Sequence, residues 1–478
     1  MTRRRRSSYN LLPQRLTGKR IVLAAAAAVL LIVGTYGVRL AFALGHAFHQ
    51  DPVSAVVGAL QGGGGSSIDV ARQHMRRINI ALYGYGGGGH DGAFLTDSIM
   101  VVSIQPEPSG PPQIAEISIP RDWYVPIDLG SGKSKYGRIN EAYSDGISGD
   151  GPASGSAPEA GASVANPTLQ DLLGIHIDHW IGVDFQAFQA AVDAVGGVDV
   201  DVQNSFSDSQ YPHGECDQGD CSIETVHFTA GMQHMNGARA LIFSRSRHGD
   251  NGEGSDFARS KRQQMVIAAL KQKVVSVGGI GNLPDLLNAL GDHVRTDLAI
   301  GDVEALYGWV KDVSSASIEH VSLDNTNFLV DCGYPYSCGA YYLYAHDRSY
   351  HSIAHFMQSV FLSQPAVAEK APVTLYDASG GRNDASGRWA TVMGMVGLHT
   401  TDGGSVARQV DTQVIDQSGG RDAQTATWLA NYFGVQVTTP PKTTATPTTT
   451  ATGGGGVVVV LGSLEEEAFL ADPGVGHL

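Results

Sequence analysis

Hydrophobic positions along the chain fall into short runs typical of strands and longer runs with the period of a helix. Apolar runs at 78–83, 99–104 and 114–119 are rich in isoleucine and valine and predict three strands. Phe185–Val195 places apolar residues at helical spacing and stops at two glycines, so it predicts a helix. Val198–Val202 alternates and predicts another strand. Interleaved helix and strand signals predict an α/β sandwich rather than an all-β fold.

The pattern starts afresh near residue 371. Helical runs at about 385–396 and 424–432 are followed by the apolar strand 457–461, and we predict a smaller C-terminal α/β domain over residues 371–463. Within it, residues 438–456 are rich in Thr, Pro and Gly and predict a disordered or extended insert. Residues 464–478 form a tail after the last predicted strand.

The N-terminal region carries a membrane-targeting pattern. Residues 1–20 are basic and contain no acid, and the uncharged apolar run that follows predicts a transmembrane anchor over 21–44. The positive flank predicts a cytoplasmic N-terminus, a single span of the plasma membrane and an extracytoplasmic body. A cleaved signal peptide ending near Ala41-Phe42-Ala43 is the alternative. A juxtamembrane linker at 45–76 would then lead to the main domain at 77–365.

Charge and cysteine content narrow the class of protein. A formal net charge of −15 argues against a general nucleic-acid binder. The four cysteines form two close pairs, Cys216 with Cys221 and Cys332 with Cys338, and predict two short-loop disulfides in an oxidising compartment. A single four-cysteine metal site is the alternative, and the spacings favour it less.

The stretch 240–264 carries the strongest chemical signal. It opens apolar, as a strand does, and then places Arg245 and Arg247 two residues apart, so that both project from one face if the strand continues. Guanidinium groups packed together repel one another unless an anion lies among them, and their geometry suits phosphate oxygens. This pair therefore indicates an anion site.

A predicted helix follows a glycine-rich loop and adds to this charge. Asp256, Arg259 and Arg262 recur every third residue and share one side of that helix. Four arginines and one carboxylate are thus predicted to converge. A solvated charged face is the alternative for the helix considered alone.

Other charged residues stand next to predicted strands. Asp97 precedes the strand at 99–104, and Asp91 lies in the loop before it, so both are candidate oxygen ligands of Mg²⁺; a turn or capping role is the alternative for Asp97. Arg121 and Asp122 follow the strand at 114–119, where ligands of open α/β sheets gather, although a simple surface ion pair remains open. The sequence GSGKS at 130–134 lacks the first glycine of a P-loop and is rejected as one.

Taken in order, several segments resemble the LytR-CpsA-Psr family. These segments, which lie between residues 77 and 275, are TDSIMVVSI, ISIPRDWYVPI, RINEAY, IGVDFQAFQAAVDAVGGVDVDV, TAGMQHMNGARAL and FSRSR followed by DFARSKRQQ. Residues 371–463 are similar to the LytR C-terminal domain. The resemblance implies an α/β/α sandwich with an apolar pocket for a lipid tail.

The resemblance also implies an activity. Family members are membrane-anchored enzymes that move a glycopolymer, such as teichoic acid or capsule, from a polyprenyl-pyrophosphate carrier onto peptidoglycan and leave a phosphodiester link, with Mg²⁺ (or Mn²⁺) as cofactor. Carried over by position, Asp97 would help to hold the metal. Asp91 is the candidate second ligand, in place of an aspartate that many members have soon after the first strand. The residues that would bind the pyrophosphate are Arg121, Arg138, Arg245, Arg247, Arg259, Arg262 and Gln263. The residues implied to be catalytic are Asp97, Arg121, Arg245, Arg247, Asp256 and Arg259, with Asp97 or Asp256 as a possible general base.

The chain departs from the family pattern at two places that bear on activity. One is the run YGYGGGG at 83–89, where many members have an aspartate soon after the first strand. Many members have an arginine four residues before the aspartate equated with Asp97, and this chain has Ala93 there. Two other functions therefore stay open beside the transferase. One is a polyprenyl-pyrophosphate hydrolase, in which water is the acceptor, and the other is a non-catalytic protein that binds lipid or cell wall.

Overall fold

The computed structural model describes residues 66–88, 92–148, 159–212, 222–276, 293–314, 317–331, 341–346, 349–361, 363–380, 384–439 and 456–463. The strands are β1 Ile78–Tyr85, β2 Thr96–Gln105, β3 Gln113–Ile119, β4 Tyr124–Gly130, β5 Lys133–Arg138, β6 His179–Asp184, β7 Val198–Val202, β8 Phe206–Pro212, β9 Ile223–Phe228, β10 Gly231–Met235, β11 Val294–Thr296, β12 Ile318–Ser322, β13 Leu329–Asp331, β14 Leu343–Ala345, β15 Pro372–Asp377, β16 His399–Ser405, β17 Gln413–Asp416, β18 Val437–Thr438 and β19 Val457–Leu461. The helices are α1 Ser67–Gln73, α2 Glu141–Ser148, α3 Ala162–Leu173, α4 Phe185–Ala194, α5 Gly237–Arg245, α6 Asp256–Ser276, α7 Ile300–Val310, α8 His351–Ser359, α9 Gln364–Glu369, α10 Ala385–Met395 and α11 Ala423–Tyr432.

A six-stranded mixed sheet in the order β11-β6-β1-β2-β3-β12 organises the first part of the fold. Strand β2 runs antiparallel to both β1 and β3, whereas β6 pairs parallel with β1 and β12 pairs parallel with β3. The predicted strands at 78–83, 99–104 and 114–119 are therefore confirmed as adjacent strands. Both faces of such a sheet must be covered, because its central strands are apolar on both sides.

Helices cover the two faces of this sheet, as the predicted sandwich requires. Successive residues of β1 point to opposite sides, so that Ala81 and Tyr83 face one core and Ile80 faces another. Helices α2, α3 and α8 pack on the first side. Helices α1 and α7 pack on the second through Ile68 and Trp309. The α/β/α layering is thus confirmed.

A second hydrophobic core lies beside the sheet and holds the arginine-rich segment. It joins strands β7 to β10 to helices α4, α5 and α6, and its centre is a cluster of three phenylalanine rings, Phe206, Phe228 and Phe243. The predicted helix at 185–195 and strand at 198–202 are both confirmed as parts of it. This core sets the position of α5 and α6 against the large sheet.

The C-terminal region forms its own five-stranded sheet in the order β16-β15-β19-β17-β18. The predicted helices near 385–396 and 424–432 and the strand at 457–461 are confirmed. The hydrophobic core of this sheet is continuous with that of the first sheet, through residues such as Phe328 and Trp389. The C-terminal sheet is therefore separate in its hydrogen bonding but packed against the rest of the fold. Most of the predicted insert at 438–456 and the tail at 464–478 lie outside the described residues.

The prediction of a strand through Arg245 and Arg247 is wrong. Residues 237–245 form helix α5, which begins where the Asn236 side chain accepts a hydrogen bond from the backbone N–H of Arg239. Ala240, Leu241, Phe243 and Ser244 are its buried residues. Short apolar runs do not by themselves distinguish a strand from a buried helix. The Asn-Gly pair before the run was the signal for a helix start.

Two other boundaries also differ from the prediction. Residues 66–76 were assigned to the juxtamembrane linker, but they include α1, whose Ile68 and Ala71 are buried against the sheet. The Asn-Pro pair at 166–167 predicts a helix that starts at Thr168, but helix α3 begins at Ala162 and contains Pro167, so this predicted start is wrong. Burial of Val164 and Ala165 in the first turns outweighs the backbone hydrogen bond that Pro167 cannot donate. The GSGKS sequence forms the turn between β4 and β5, as expected for a false P-loop.

The predicted membrane anchor at 21–44 precedes the first residue that the structure describes. Within the described ranges, no helix has both the length and the hydropathy of a membrane span. Both predicted cysteine pairs and Asp91 also lie outside those ranges.

Candidate functional site

A large apolar cavity lies between the large sheet and helices α4, α5 and α6. Its volume is about 730 Å³, within the usual range for pockets that enclose an organic ligand. Apolar side chains from the sheet and from the helices form its walls. They include Leu82, Met100, Ile181, Val183, Phe185, Phe188, Leu241, Val266, Ile267 and Leu270. The cavity therefore suits a long hydrocarbon chain rather than a polar metabolite.

Charged and polar side chains also line the cavity. They are Asp97, Ser98, Arg121, Asn140, Asp184, Asp208, Gln210, Tyr211, Ser244, Arg245, Arg247, His248, Arg259, Gln263 and Thr296. The structure thus brings together Asp97, four of the predicted arginines and Gln263 from four separate stretches of sequence. An apolar chamber joined to a cluster of guanidinium groups can hold a molecule with a lipid tail and an anionic head.

Asp97 and Arg121 form an ion pair at this site. The Arg121 Nη1 atom lies 2.5 Å from Oδ1 of Asp97, on the second residue of β2, and its Nε lies 3.3 Å from Oδ2 of Asp122. The other oxygen of Asp122 is 3.3 Å from Nε of Arg138, at the end of β5. Arg138 is not among the residues that line the cavity, so the structure places it beside the site rather than within it.

Arg245 and Arg247 reach the cavity from the last turn of α5 and from the loop after it. The Arg245 guanidinium lies over the ring of Phe185, with 4.1 Å between its Cζ and the ring centroid, and 5.8 Å from that of Tyr211. Such stacking restrains the side chain and leaves its N–H edges directed away from the ring. Arg247 lies two residues past the helix end. Both arginines therefore line one cavity although they do not share a strand.

A buried carboxylate, Asp208, holds the loop that carries Arg247. Its Oδ2 accepts hydrogen bonds from the hydroxyl of Ser246 at 2.7 Å and from the backbone N–H groups of Arg247 and His248 at 3.0 Å each. Burial alone would raise the pKa of Asp208, but these hydrogen bonds, with one from the Gln210 backbone, outweigh burial and lower it. Asp208 therefore stays ionised and fixes the backbone on both sides of Arg247.

Helix α6 contributes Arg259 and Gln263 to the site. Arg259 is buried, and both residues line the cavity. The Oε1 atom of Gln263 accepts a hydrogen bond of 2.9 Å from the hydroxyl of Ser98, next to Asp97 on β2. This contact ties the arginine helix to the strand that bears the acid. Asp256 is the first residue of α6, but its side chain is outside the description.

Arg262 is not among the residues that line the cavity, although the resemblance implies a place for it at the pyrophosphate. Its side chain is 2% exposed and donates hydrogen bonds to the carbonyl oxygens of Phe243 and Ser246, at 2.9 and 2.5 Å. It also donates to the carbonyl and carboxylate of Glu253, at 3.0 and 2.6 Å. Arg262 therefore joins α6 to the end of α5. The two arginines that are three residues apart on α6 thus differ, because Arg262 has a structural role and Arg259 lines the cavity.

Sequence reasoning missed four residues that belong to the site or support it: Ser98, Asn140, Asp208 and His248. Ser98 directly follows Asp97, and Asn140 stands in the RINEAY motif, so both had a signal in the sequence. Asp208 comes from β8, 38 residues before Ser246, and nothing in its local sequence ties it to the arginine loop. Only the packing of β8 against α5 brings the two together.

The metal-binding capacity of the described residues rests on Asp97. Across the ranges that the structure covers, no three His, Cys, Asp or Glu side chains lie close enough together to hold a metal ion. Mg²⁺ in phosphoryl-transfer sites commonly takes one or two carboxylates and fills its remaining positions with water and phosphate oxygens. Asp97, whose side chain is 43% exposed beside the cavity, fits that donor set.

Comparison with known proteins agrees with this arrangement. The LytR_cpsA_psr family model matches residues 54–355. The chain is 30% identical, over 239 residues, to polyisoprenyl-teichoic acid–peptidoglycan teichoic acid transferase TagU of Enterococcus faecalis; the match covers 49% of this chain and 65% of the relative. It is 27% identical over 316 residues to the corresponding TagV of Bacillus subtilis, covering 65% of this chain and 71% of TagV.

The chain is also similar to solved structures. The crystal structure of B. subtilis TagV superposes with a TM-score of 0.45 and 24% identity, over 60% of this chain and 97% of that one. The family assignment rests on the sequence match, which covers more than half of the chain and includes every site residue described above. The chain therefore belongs to the LytR_cpsA_psr family.

Proposed function

We propose that this protein is an extracytoplasmic phosphotransferase that moves a glycopolymer from a polyprenyl-pyrophosphate carrier onto peptidoglycan. One observation carries the proposal: an apolar cavity of about 730 Å³ is joined to a wall that presents Arg121, Arg245, Arg247 and Arg259. A polyprenyl pyrophosphate has this combination of a hydrocarbon tail and a concentrated negative charge. The names of the relatives TagU and TagV, which are teichoic acid transferases, support the same donor and acceptor.

The reaction replaces the phosphoanhydride bond of the pyrophosphate with a phosphoester bond to the acceptor. A hydroxyl group of a peptidoglycan sugar attacks the phosphorus that bears the glycopolymer, and a new P–O bond forms. The bond from that phosphorus to the bridging oxygen breaks, and polyprenyl phosphate leaves with the electron pair. The hydroxyl proton passes to a base, for which the carboxylates of Asp97 and Asp256 are the two candidates.

The arginines would stabilise the charge that moves during transfer. Phosphoryl transfer depends mainly on positioning and on electrostatic stabilisation of the transferring oxygens. Arg247, on a loop fixed by Asp208, and Arg259, on a helix fixed by Arg262, are held before the substrate arrives. Such groups need little rearrangement in the transition state, which is the condition under which they contribute most.

Mg²⁺ (or Mn²⁺) is the cofactor that we propose for this site, held by Asp97, with Asp91 as a second candidate ligand. A bound divalent cation would neutralise part of the diphosphate charge. The ion pair between Asp97 and Arg121 holds the carboxylate in place at the site. Arg121 then stays close to any phosphate that Asp97 engages through the metal.

The proposed donor implies that the protein acts at the outer surface of the plasma membrane. A lipid-linked substrate stays in the membrane, so an anchor at residues 21–44 would keep the site near the bilayer surface, with the folded part outside the cell. The C-terminal sheet, residues 372–461, is proposed to be a LytR C-terminal domain with a binding or spacing role. The two cysteine pairs would be disulfides in that compartment.

The proposal is tested by a transfer assay on the full-length chain in detergent micelles. The donor is a polyprenyl-pyrophosphate glycan, and the acceptor is a soluble peptidoglycan oligomer, with Mg²⁺ or with EDTA. Labelled acceptor is expected only with Mg²⁺. Arg247→Ala should reduce the rate on the order of 10²–10³-fold, as the loss of one preorganised donor does in other enzymes. Arg72→Ala, an exposed arginine on α1, is the matched control and should keep full rate.

Three results would contradict the transferase. Release of polyprenyl phosphate without labelled acceptor would identify a hydrolase. Donor binding that requires Arg247 but yields no product would identify a binding protein. An Arg247→Ala variant as active as wild type would remove the arginine cluster from the mechanism.

A further inference from the structure

We propose that a tyrosine-lined surface beside the cavity binds the glycan chain of the acceptor. We call it the tyrosine face, and it consists of Tyr124, Tyr136, Tyr342 and Tyr344 together with Arg138. This inference rests on the proposed transferase function, because it assigns the binding place of that reaction's second substrate.

The hairpin of β4 and β5 builds half of the face. Its inward residues, Val125 and Ile127, are fully buried, so the alternate residues project to the other side. In the antiparallel register Tyr124 pairs with Arg138 and Pro126 pairs with Tyr136. The rings of Tyr124 and Tyr136 stack with 6.0 Å between their centroids, and Tyr136 is 68% exposed. The large aromatic ring of Tyr136 is therefore exposed to solvent on a regular strand.

Strand β14 and the residue before it supply the other half. The backbone N–H of Leu343 donates a 3.0 Å hydrogen bond to the carbonyl of Asp122, which joins this segment to the start of β4. Leu343 points inward and is buried. Tyr342 and Tyr344 flank it, and their ring centroids lie 5.0 and 5.7 Å from that of Tyr124. Tyrosines from two hairpins thus form one continuous surface.

Arg138 connects the tyrosine face to the reactive groups. Its guanidinium carbon lies 4.9 Å from the centroid of the Tyr342 ring, while its Nε contacts Asp122 at 3.3 Å. Asp122 contacts Arg121, which pairs with Asp97 at the cavity. A chain of three ion contacts therefore leads from the face to the cluster where the phosphorus would lie. An acceptor bound along the tyrosines would therefore lie next to Arg121 and Asp97.

The chemistry of the face favours a sugar chain over a protein. Tyrosine offers a flat apolar ring with a polar hydroxyl at its edge, which matches the C–H faces and hydroxyl groups of a pyranose. Lys135 pairs with the inward residue Ile127, so its ion contacts with Glu141 and Asp145, of 2.9–3.1 Å, lie on the other side of the hairpin. The charge within the face is that of Arg138, whose guanidinium stacks on the Tyr342 ring. A glycan chain is the ligand that these stacked rings suit.

The experiment measures acceptor binding and transfer separately. Soluble peptidoglycan oligomers are titrated into the full-length chain in micelles, without donor, and the dissociation constant is compared with the acceptor KM in the transfer assay. Tyr136→Ala removes the exposed ring, and Tyr136→Phe keeps the ring but loses the hydroxyl. Met232→Ala, which removes a 70% exposed apolar side chain from β10, is the matched control.

We expect Tyr136→Ala to weaken oligomer binding and raise the acceptor KM by about tenfold, the loss that corresponds to one aromatic contact. The donor KM and the unfolding temperature should not change, because Tyr136 lies outside the cavity and its ring is mostly exposed. Tyr136→Phe should stay within about threefold of wild type if stacking dominates. Tyr342→Ala should show the same loss as Tyr136→Ala, since both rings contact Tyr124.

The results separate this inference from the proposed function. If both tyrosine-to-alanine variants bind the oligomer as wild type does while Arg247→Ala abolishes transfer, the tyrosine face is wrong and the transferase stands. If wild type binds the oligomer through Tyr136 but transfers nothing, the transferase is wrong and the face is a wall-binding surface. A loss of affinity in Met232→Ala equal to that in Tyr136→Ala would also overturn the inference.

Discussion

Replacement of Arg262 by alanine separates the structural arginine from those that line the cavity. The side chain makes four hydrogen bonds, three to backbone carbonyl oxygens and one to the Glu253 carboxylate, and its guanidinium carbon lies 5.0 Å from the centroid of the Phe206 ring. Burial is the main influence on its pKa and lowers it, although the attraction of Glu253 opposes this effect. An arginine remains charged at neutral pH even so.

The expected loss of stability follows from what Arg262→Ala leaves behind. The carbonyls of Phe243 and Ser246 and the carboxylate of Glu253, which is only 15% exposed, would lose their donor inside the second core. Removal of one partner from a buried pair costs about 3–5 kcal/mol. With about 2–4 °C for each kcal/mol in a domain of this size, the unfolding temperature should fall on the order of 6–20 °C.

The assay is thermal unfolding of the full-length chain in micelles, followed by tryptophan fluorescence. Arg72→Ala is the control and should unfold as wild type does. Below its unfolding transition, Arg262→Ala should still bind the polyprenyl-pyrophosphate donor within a few-fold of wild type. The reasoning is refuted if the variant unfolds within about 2 °C of wild type and loses donor binding. Arg262 would then contact the pyrophosphate, as the family resemblance implied.

Three further predictions concern the stability of the fold. Hydrogen bonds lower the pKa of Asp208 in the folded protein. The stabilisation by Asp208 should therefore be present above its ordinary pKa near 3.8 and disappear as the pH falls through the lower folded value. Asp208→Asn should remove this part of the acid transition when unfolding is measured against pH. The hydrogen bond to Glu116 raises the pKa of His320. The stabilisation of the fold by this pair should be complete below about pH 6.5 and lost as the pH rises through the higher folded pKa of His320. His320→Gln should flatten the profile of stability against pH in that range, and an unchanged profile would contradict the assignment. Gly146→Ala should lower the unfolding temperature by several degrees, because its Cβ would lie 2.1 Å from the carbonyl oxygen of Ala160, and a thermal shift assay would detect it.

The layered fold could be predicted because its elements are long and regular. The strands at 78–83, 99–104 and 114–119 bury both faces, and their isoleucine and valine content is typical of buried strands. The helix at 185–195 has one apolar stripe and a glycine stop. Local sequence alone accounts for these elements, because residues within a few positions of one another decide them.

The segment 237–248 shows where local patterns fail. Its apolar residues fit a strand or a helix equally well, and the cap at Asn236 and the buried side of α5 decide in favour of the helix. The family resemblance named the arginines as a group but gave no means of telling Arg259 from Arg262. Both are buried on the same helix, and only the carbonyls around one of them reveal a structural role.

The sequence by itself determined the α/β class and the arginine-rich motif. It also determined the combination of aspartates and arginines that points to phosphate chemistry. The tertiary structure decided which of these residues meet. Asp97, Arg121, Arg247 and Gln263 come from distant parts of the chain, and they share one cavity because the second core sets α5 and α6 against the sheet. Asp208 and the tyrosine face were invisible in the sequence for the same reason. Their partners are distant in sequence, and such contacts arise only when whole elements pack together.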